Sequence, residues 1–547
     1  MAFDFLEKEH TIAKPGFNRW LVPPAALAIH LCIGMAYGFS VFWLPLSKAL
    51  GIKESIVCGP DVSFFEQIFS TSCDWKISML GWMFTMFFVL LGVSAAIWGG
   101  WLEHAGPRKA GVVSAVCWCG GLLISALGVY HHQIWLMWLG SGVIGGIGLG
   151  LGYISPVSTL IKWFPDRRGM ATGMAIMGFG GGALVGSPLA DKLMKHFATP
   201  TSVGVWQTFV VMAVIYFIFM MAGALGYRVP PSGWKPAGWT PPVASGNVMI
   251  TPHHVHVSKI WGVPQFWLVW LVLCLNVSAG IGVIGISSPM LQEVFGGHLL
   301  GVNVGFNDLS VEQKAGIAAI AAGFTGLISL FNIGGRFVWA SCSDFFGRKL
   351  TYVIFFVLGF VLYVSLPWSA KSDSVFLFVA AVCVILSMYG GGFATVPAYL
   401  ADLFGTQMVG AIHGRLLTAW ATAGILGPVV VNYMREYQLS LGMPRESVYN
   451  TTMYILAGML ILGLICNLLI RPVAAKHFMT ADELAQEKKM AHEKSAADNV
   501  ATLSATELEQ VGRGGNPVVL GAAWLAVGIP LIWGIALTLQ KAVVLFR

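Results

Sequence analysis

The chain has 547 residues, of which 56% are hydrophobic and only 10% are charged, and its mean hydropathy is +0.74. Soluble domains carry about 25% charged residues, so this composition excludes an ordinary soluble protein and indicates a chain that resides in a membrane. The net charge of +7 reflects an uneven distribution of Lys and Arg among the loops and gives no reason to expect a nucleic-acid partner.

Thirteen apolar stretches have the length that a membrane-spanning helix requires, which is roughly 20 residues for a hydrocarbon core of about 30 Å. No cleavable signal peptide is expected, because the first 19 residues are mixed and charged. The predicted spans lie near residues 20–46, 77–100, 110–130, 135–161, 170–189, 205–227, 264–290, 315–341, 350–368, 375–400, 414–434, 450–471 and 517–540.

The loops predict which end of the chain faces the cytoplasm. With the N-terminus inside, the inner segments carry 20 Lys and Arg residues and the outer segments carry 11, and Arg336 completes the total of 32. Cytoplasmic loops are enriched in Lys and Arg. We therefore expect a multi-pass protein of the cell membrane, a bacterial inner membrane, with a cytoplasmic N-terminus.

Two of the nine cysteines, Cys58 and Cys73, lie in the first outer loop. The other seven fall in or beside apolar spans, where small buried hydrophobic residues are the simplest interpretation. In a periplasmic setting Cys58 and Cys73 are a candidate disulfide. Whether they bond depends on their separation in space, which the sequence leaves open.

The chain repeats itself. Three pairs of residues have the same separation of 241 positions: Gly106 and Gly347, Gly169 and Gly410, and Pro156 and Pro397. One common offset predicts two six-helix halves in parallel orientation, 20–227 and 263–471. Such halves are a transporter architecture, in which the substrate binds between them near the membrane midplane.

Four further segments flank these halves. Residues 1–19 form a cytoplasmic N-terminal segment, and residues 228–262 form a linker rich in Pro, Gly and Trp, for which we expect an ordered, non-helical structure. Residues 472–516 include the Ala-, Glu- and Lys-rich stretch "TADELAQEKKMAHEKSAADN", which predicts an exposed helix. Residues 517–547 hold the thirteenth span, which neither half matches.

The loops "EHAGPRK" (103–109) and "DFFGRK" (344–349) resemble the signature loops of the major facilitator superfamily. Together, "KWFPDRRGMATG", "GWKPAGW" and "GRLLTAWATAGILGP" resemble the oxalate:formate antiporter family of small-carboxylate transporters. This resemblance spans residues 20 to 471 and implies a twelve-helix fold, here followed by one helix similar to a small accessory subunit. In the first loop Glu103 and His104 replace the more usual Asp-Arg pair. The residues implied for gating are Glu103, Gly106, Arg108, Asp344, Gly347 and Arg348.

Arg336 is a candidate substrate ligand, because it is a charge within apolar sequence, where insertion near the middle of a membrane helix costs about 2.5–3.5 kcal/mol. The position 241 residues earlier is Ala95, so the scaffold does not require the charge in both halves. The alternative is that Arg336 snorkels to the headgroups, since it lies eight residues before Asp344. The resemblance matches Arg336 to the family's carboxylate-binding arginine, and Asn332 lies one turn before it, placed either to bind the substrate or to brace the arginine.

Aromatic residues form the second group of candidates. Tyr37, Tyr153, Tyr389 and Phe393 match cavity aromatics of the resembled family, although aromatics in membrane helices more often serve packing or face lipid. Where the oxalate transporter of that family has a second cation in helix eleven, this chain has Trp420. One cation suits one carboxylate, so a monocarboxylate such as formate, lactate or pyruvate is favoured over oxalate.

His30 is the other ionisable residue deep in a predicted span, and no Asp or Glu lies inside any of them. It is a candidate proton carrier, because histidine titrates near neutrality. The alternative is a neutral ring bonded to a neighbouring carbonyl. The glycines of "GGIGLGLG" suit close helix packing and not a dinucleotide site, since no strand precedes them.

These features predict a secondary transporter that moves small carboxylate anions by alternating access, with protons as a candidate coupling ion. Exchange of oxalate for formate is a further mode of carboxylate transport that the sequence leaves open. A non-transporting carboxylate sensor on the same fold is the alternative. An enzyme is not expected, because no cluster of nucleophile, base or metal ligands occurs at membrane depth, and no cofactor or metal is expected.

Overall fold

Thirteen long helices dominate the structure. The computed structural model describes residues 4–59, 62–166, 168–231, 233–239, 249–302, 304–487, 489 and 504–546. In this part of the chain the helices that are long and apolar enough to cross a membrane are α1 (Arg19–Leu46), α2 (Ile77–Leu102), α3 (Ala105–Tyr130), α4 (Ile134–Trp163), α5 (Gly173–Phe197), α6 (Val205–Gly226), α7 (Pro264–Leu299), α8 (Val311–Phe346), α9 (Arg348–Lys371), α10 (Val375–Phe404), α11 (Val409–Ser440), α12 (Asn450–Leu469) and α13 (Pro517–Leu545). The predicted all-α fold of twelve spans plus one is confirmed.

The two halves, α1–α6 and α7–α12, meet along two seams. Helix α5 packs on α8, and α2 packs on α11. Within the first half, α1 and α5 approach so closely that a Cβ on Gly182 would lie 2.2 Å from the carbonyl carbon of Gly34. Small residues permit this contact in a membrane, where close van der Waals packing drives helix association. At this crossing α1 continues as a 3-10 segment, Gly34–Phe42, which contains Tyr37.

The two signature loops have the same backbone conformation at their glycine. Gly106 has φ 83° and Gly347 has φ 82°, a left-handed conformation that glycine adopts without steric cost. Their arginines differ in partners. Arg348 donates to Asp344 at 2.5 Å and lies 3.6 Å from Asp402 at the end of α10. Arg108 donates instead to backbone carbonyl oxygens, including that of Phe5 at 2.6 Å. The side chain of Glu103 lies outside what the structure describes.

Helix α7 runs nine residues past its predicted end and carries a buried acidic residue, Glu293, that the predicted spans did not include. Its carboxylate, 4% exposed, accepts hydrogen bonds from Arg435, Arg445 and the Tyr449 hydroxyl. Because this charge is neutralised and hydrogen-bonded, the helix continues through it. The cluster ties α7, α11 and α12 together at the end opposite the N-terminus.

A layer of connecting segments covers the bundle on the N-terminal side. Met479 N–H donates to the His254 carbonyl at 2.8 Å, and Lys259 pairs with Glu483 at 2.7 Å. The hydrogen bond from Lys259 holds the pKa of the Glu483 carboxyl below its usual range. Residues 481–487 are helical, and most of the exposed helix predicted beyond them lies outside the described residues.

The first outer loop is ordered by a disulfide and a buried carboxylate. Cys58 and Cys73 are bonded, with Cα atoms 5.0 Å apart. Next to them Asp74 accepts backbone N–H bonds from Leu50 at 2.7 Å and Ile56 at 2.8 Å. The loop is therefore held on two sides.

Helix α13 lies across the seam between the halves, against both α5 and α8. Three glycines bring it close: Gly326 faces Thr538, Gly323 faces Lys541, and Gly534 faces the Leu184 carbonyl. Lys541 also lies 3.4 Å from Asp191 of α5. Most of its remaining surface is exposed, which suits a helix packed on the outside of the bundle.

We predict that a chain ending at Gly515 still folds, because α13 contributes only a few buried residues, such as Ala542 and Leu545, to the core. The expected cost is a thermal midpoint a few degrees lower, since the Gly326–Thr538 and Gly534–Leu184 contacts are lost. Differential scanning fluorimetry in detergent measures the midpoint. The matched variant Lys541→Gln removes the ion pair between α13 and Asp191, leaves the Asp191–Lys195 pair in place, and should shift the midpoint less. A truncated protein that folds but does not transport would show that α13 belongs to the transport mechanism.

Candidate functional site

Arg336 is completely buried at the centre of the bundle. Its Nε donates to the Asn332 side chain at 2.9 Å, one turn earlier on α8. Its Nη1 donates to the carbonyl oxygen of Ile176, on α5 of the other half, also at 2.9 Å. A snorkelling arginine would instead direct its guanidinium to the membrane surface. The side chain therefore joins the two halves at the midplane.

No carboxylate in the described part of the chain pairs with Arg336, although a buried charge is costly without a partner. The third guanidinium nitrogen, Nη2, has no hydrogen-bond acceptor among the described residues. Phe393 and Phe179 contribute ring faces, with centroids 5.6 Å and 6.0 Å from the guanidinium carbon. These cation–π contacts recover only part of the lost hydration.

An aromatic cage surrounds this charge and contains all five aromatic residues that the sequence singled out. Trp420 lies at its centre, 4.3 Å from Phe393 and 5.1 Å from Tyr153 between ring centroids. The hydroxyl oxygens of Tyr37 and Tyr389 are 2.7 Å apart. All are at most 3% exposed. The seven rings of the cage are those of Tyr37, Phe88, Tyr153, Phe179, Tyr389, Phe393 and Trp420.

Three hydrogen bonds cross between the halves at this level. Besides the bond from Arg336 to Ile176, the Tyr37 and Tyr389 hydroxyls join α1 to α10, and Ser329 donates to the Gly180 carbonyl at 2.5 Å. Each of these bonds must rearrange if the halves move apart. The site therefore lies at the contact between the two halves.

Three buried side-chain atoms of the cage residues have no hydrogen-bond partner among the described residues: Arg336 Nη2, the Tyr153 hydroxyl and Trp420 Nε1. Buried polar groups are nearly always hydrogen-bonded, so such a group points to a ligand or water position. A single carboxylate can accept hydrogen bonds from one cation and two neutral donors.

His30 borders the cage, with its ring stacked on Tyr153 at 5.5 Å. Its Nδ1 faces the Ala175 carbonyl and its Nε2 faces the Tyr153 carbonyl at 3.2 Å. Both nitrogens are thus directed at the backbone of α5 and α4, away from the cage interior. This geometry holds the two helices together and provides no further donor for a ligand.

Two glycines make room for the Arg336–Asn332 pair. A Cβ on Gly180 of α5 would lie 3.0 Å from Arg336 Nε, and one on Gly390 of α10 would lie 2.5 Å from Asn332 Oδ1. A methyl group at either position displaces the pair. These glycines are therefore part of the site, although they have no side chain that could bind a ligand.

Sequence reasoning missed five members of the site: Phe88, Phe179, Gly180, Gly390 and the Ile176 carbonyl. Three of them lie on α5, which has no polar side chain at this depth to attract attention. A signal existed in the stretch "GFGGG" (178–182), where one aromatic stands among glycines within a span. Glycine-rich helix faces mark close approach.

Two vestibules flank the closed cage along its axis. The outer vestibule lies between α2 on one side and α7 and α11 on the other, and it is lined by residues such as Gly81, Phe84, Gly285 and Asn432. The inner vestibule lies on the N-terminal side and is lined by residues such as Gly99, Val157, Pro397 and His413. Neither set includes Arg336, so the cation is sealed at both ends.

Two parallel half-bundles with a buried site between them are an architecture of membrane transporters. The family model described as Major Facilitator Superfamily matches residues 25–428, and the chain belongs to that family. Across 85% of this chain and 98% of the other, the fold is similar to that of the proton:xylose symporter XylE bound to 6-bromo-6-deoxy-D-glucose, with a TM-score of 0.56 and 15% identity.

Two curated relatives share more sequence. An oxalate:formate antiporter of Oxalobacter formigenes is 28% identical over 284 residues, which cover 52% of this chain and 59% of that protein. An apicoplast pyruvate carrier of Toxoplasma gondii is 24% identical over 445 residues, covering 71% of this chain and 78% of that protein.

We predict that Gly180→Ala reduces transport sharply while the protein stays folded, because the new methyl group displaces Arg336 Nε. A displacement near 1 Å is enough to cost about 100-fold where geometry is demanding. Initial rates of carboxylate uptake into proteoliposomes measure the effect. The control is Gly334→Ala on α8, where an added Cβ meets no atom within 4 Å. Equal activity of the two variants would contradict the close fit.

Proposed function

We propose that the protein is a secondary transporter of small monocarboxylates, such as formate, lactate or pyruvate, that works by alternating access between its two halves. The observation that carries this proposal is a cage with three buried donors that lack acceptors in the described part of the chain: Arg336 Nη2, the Tyr153 hydroxyl and Trp420 Nε1. In this proposal the substrate carboxylate is the missing counterion. Its apolar remainder lies against the rings of the cage.

The number of cations sets the proposed preference for a monoanion. Helix α11 contributes Trp420 to the cage and no charge, and both His30 nitrogens face backbone carbonyls. Arg336 thus neutralises one carboxylate only. The second charge of a dianion would remain unpaired in an apolar cage, where a missing partner at ~4 Å is worth about 4 kcal/mol at an effective dielectric of 20.

Substrate binding and the motion of the halves are linked through Arg336 in this proposal. Without a ligand the guanidinium spans the seam through Ile176 and Asn332. A carboxylate that takes a bidentate bond shares Nη1, which carries two N–H protons, with the Ile176 carbonyl, and its negative charge weakens the attraction between the guanidinium and that carbonyl. Binding would therefore weaken one bond between α8 and α5, and the halves would gain freedom to rock once the charge is neutralised.

The relatives support the same substrate class. One is an oxalate:formate antiporter and another is a pyruvate carrier, and both names denote small carboxylates. We further propose a multi-pass protein of a bacterial inner membrane with a cytoplasmic N-terminus, which places the Cys58–Cys73 disulfide in the oxidising periplasm. The segments 1–19, 228–262 and 472–516 then lie in the cytoplasm.

We predict that Arg336→Lys and Arg336→Ala both abolish uptake of labelled lactate, pyruvate and formate into proteoliposomes. Lysine keeps the charge but loses the planar fork that binds a carboxylate through two hydrogen bonds. The control Arg415→Lys, whose guanidinium donates to the Val257 carbonyl near the surface, should keep its rate. Full transport by the folded alanine variant would refute the site.

A second prediction concerns selectivity. In competition assays at pH 7, monocarboxylates should inhibit lactate uptake far better than oxalate does, because one arginine leaves the second charge of oxalate unpaired. Trp420→Lys should shift the preference toward oxalate by placing an amine beside Tyr153. Trp420→Phe is the matched variant that alters the ring without adding a charge. Tight oxalate binding by the unmodified protein would contradict the charge argument.

A further inference from the structure

The inner vestibule contains one unexplained polar group, His413 on α11. Its side chain is 5% exposed and lines the vestibule, and its Nε2 has no hydrogen-bond partner among the described residues. The rest of the lining is apolar or glycine apart from Ser158, whose hydroxyl donates to the Ser155 carbonyl of its own helix at 3.3 Å. A buried imidazole nitrogen without a partner in a cavity is the mark of a ligand or water position.

The vestibule continues from the cage along three helices. On α4, Val157 lies one turn from Tyr153, and on α10, Pro397 lies one turn from Phe393. On α11, His413 lies seven residues from Trp420, which is about two turns on the same face. Each helix therefore presents a cage residue and then a vestibule residue toward the N-terminal side. A molecule leaving the cage in that direction meets His413 next.

The fold itself does not require a histidine here. The position 241 residues earlier, which corresponds to His413 in the first half, is Thr172. The same contrast separates Arg336 from Ala95 at the cage. The first half therefore has a threonine hydroxyl in place of the imidazole and a methyl group in place of the guanidinium, so neither nitrogen donor recurs there. The nearest arginine along the chain, Arg415, donates to the Val257 carbonyl and lies over the Trp261 ring, so it does not serve this cavity.

We propose that the inner vestibule is a transit site for the transported carboxylate, in which His413 donates its Nε2–H to a carboxylate oxygen between the cage and the N-terminal face. This inference rests on the proposed function and extends it to the path. The ligand class is a small monocarboxylate, since the vestibule offers a single donor in an otherwise apolar lining. The transit site would hold the anion partly desolvated after it leaves Arg336, so His413 would lower the barrier to release and capture on this face only.

The test compares the two faces of the transporter. His413→Ala and His413→Gln are expressed beside the unmodified protein, and pyruvate uptake is measured in right-side-out and inside-out membrane vesicles. For the alanine variant the KM at the N-terminal face should rise about tenfold, which is the loss expected for one hydrogen bond to a charged group. The KM at the opposite face and the equilibrium binding of labelled pyruvate in detergent should stay unchanged. Glutamine, which retains an N–H donor, should restore most of the affinity.

The matched control is Asn432→Ala, which removes a polar group from the outer vestibule on the other part of α11. It should leave the KM at the N-terminal face unchanged. An alanine variant of His413 that matches the unmodified protein at both faces would overturn the transit site. Equal losses at both faces would also overturn it, because His413 would then act on the fold or the cage. If the unmodified protein neither binds nor transports pyruvate, lactate or formate, the proposed function itself fails, which is a distinct result.

Discussion

The architecture depends on one buried cation that has no counterion in the described part of the chain. Arg336 is fully buried where the two halves of the chain meet. Its guanidinium donates to Asn332 on its own helix and to the Ile176 carbonyl across the seam. Two neutral hydrogen bonds and two ring faces stabilise the guanidinium incompletely. In the proposed function the unpaired Nη2 binds the substrate anion, and the rings around it favour a small, partly apolar one.

A second buried charge shows how the same chain treats a purely structural ion. Glu293 has Arg435, Arg445 and the Tyr449 hydroxyl as partners, and the cluster ties three helices of one half together. All partners of Glu293 lie within one half, so the cluster need not change when the halves move. Arg336 differs in both respects, because it lacks a carboxylate and bonds across the seam. Glu293 thus stabilises one half, whereas Arg336 is the charge proposed to bind the substrate.

The two halves are joined by hydrogen bonds at the cage and by the packing of α13, and a vestibule lies on either side of the cage. The hydroxyl pair Tyr37–Tyr389 and the bonds of Arg336 and Ser329 cross it at the cage. Helix α13 crosses it from outside, on both α5 and α8. The vestibules open on either side of the cage, and His413 marks the inner one. An anion that neutralises Arg336 would thus act on a seam held by a few hydrogen bonds, while α13 limits how far the halves separate.

Hydrophobic length and the 241-residue repeat predicted the helices and the two halves from sequence alone, because spanning a membrane and burying a backbone in lipid leave few alternatives. The same reasoning singled out Arg336, Asn332 and five aromatics, since a charge or a resembled position stands out in apolar sequence. The sequence does not contain the distances between residues of α5 and residues of α8. Only the tertiary structure therefore revealed the Ile176 carbonyl, the space beside Gly180, the pairing of Glu293 beyond the predicted end of α7, and the seam beneath α13.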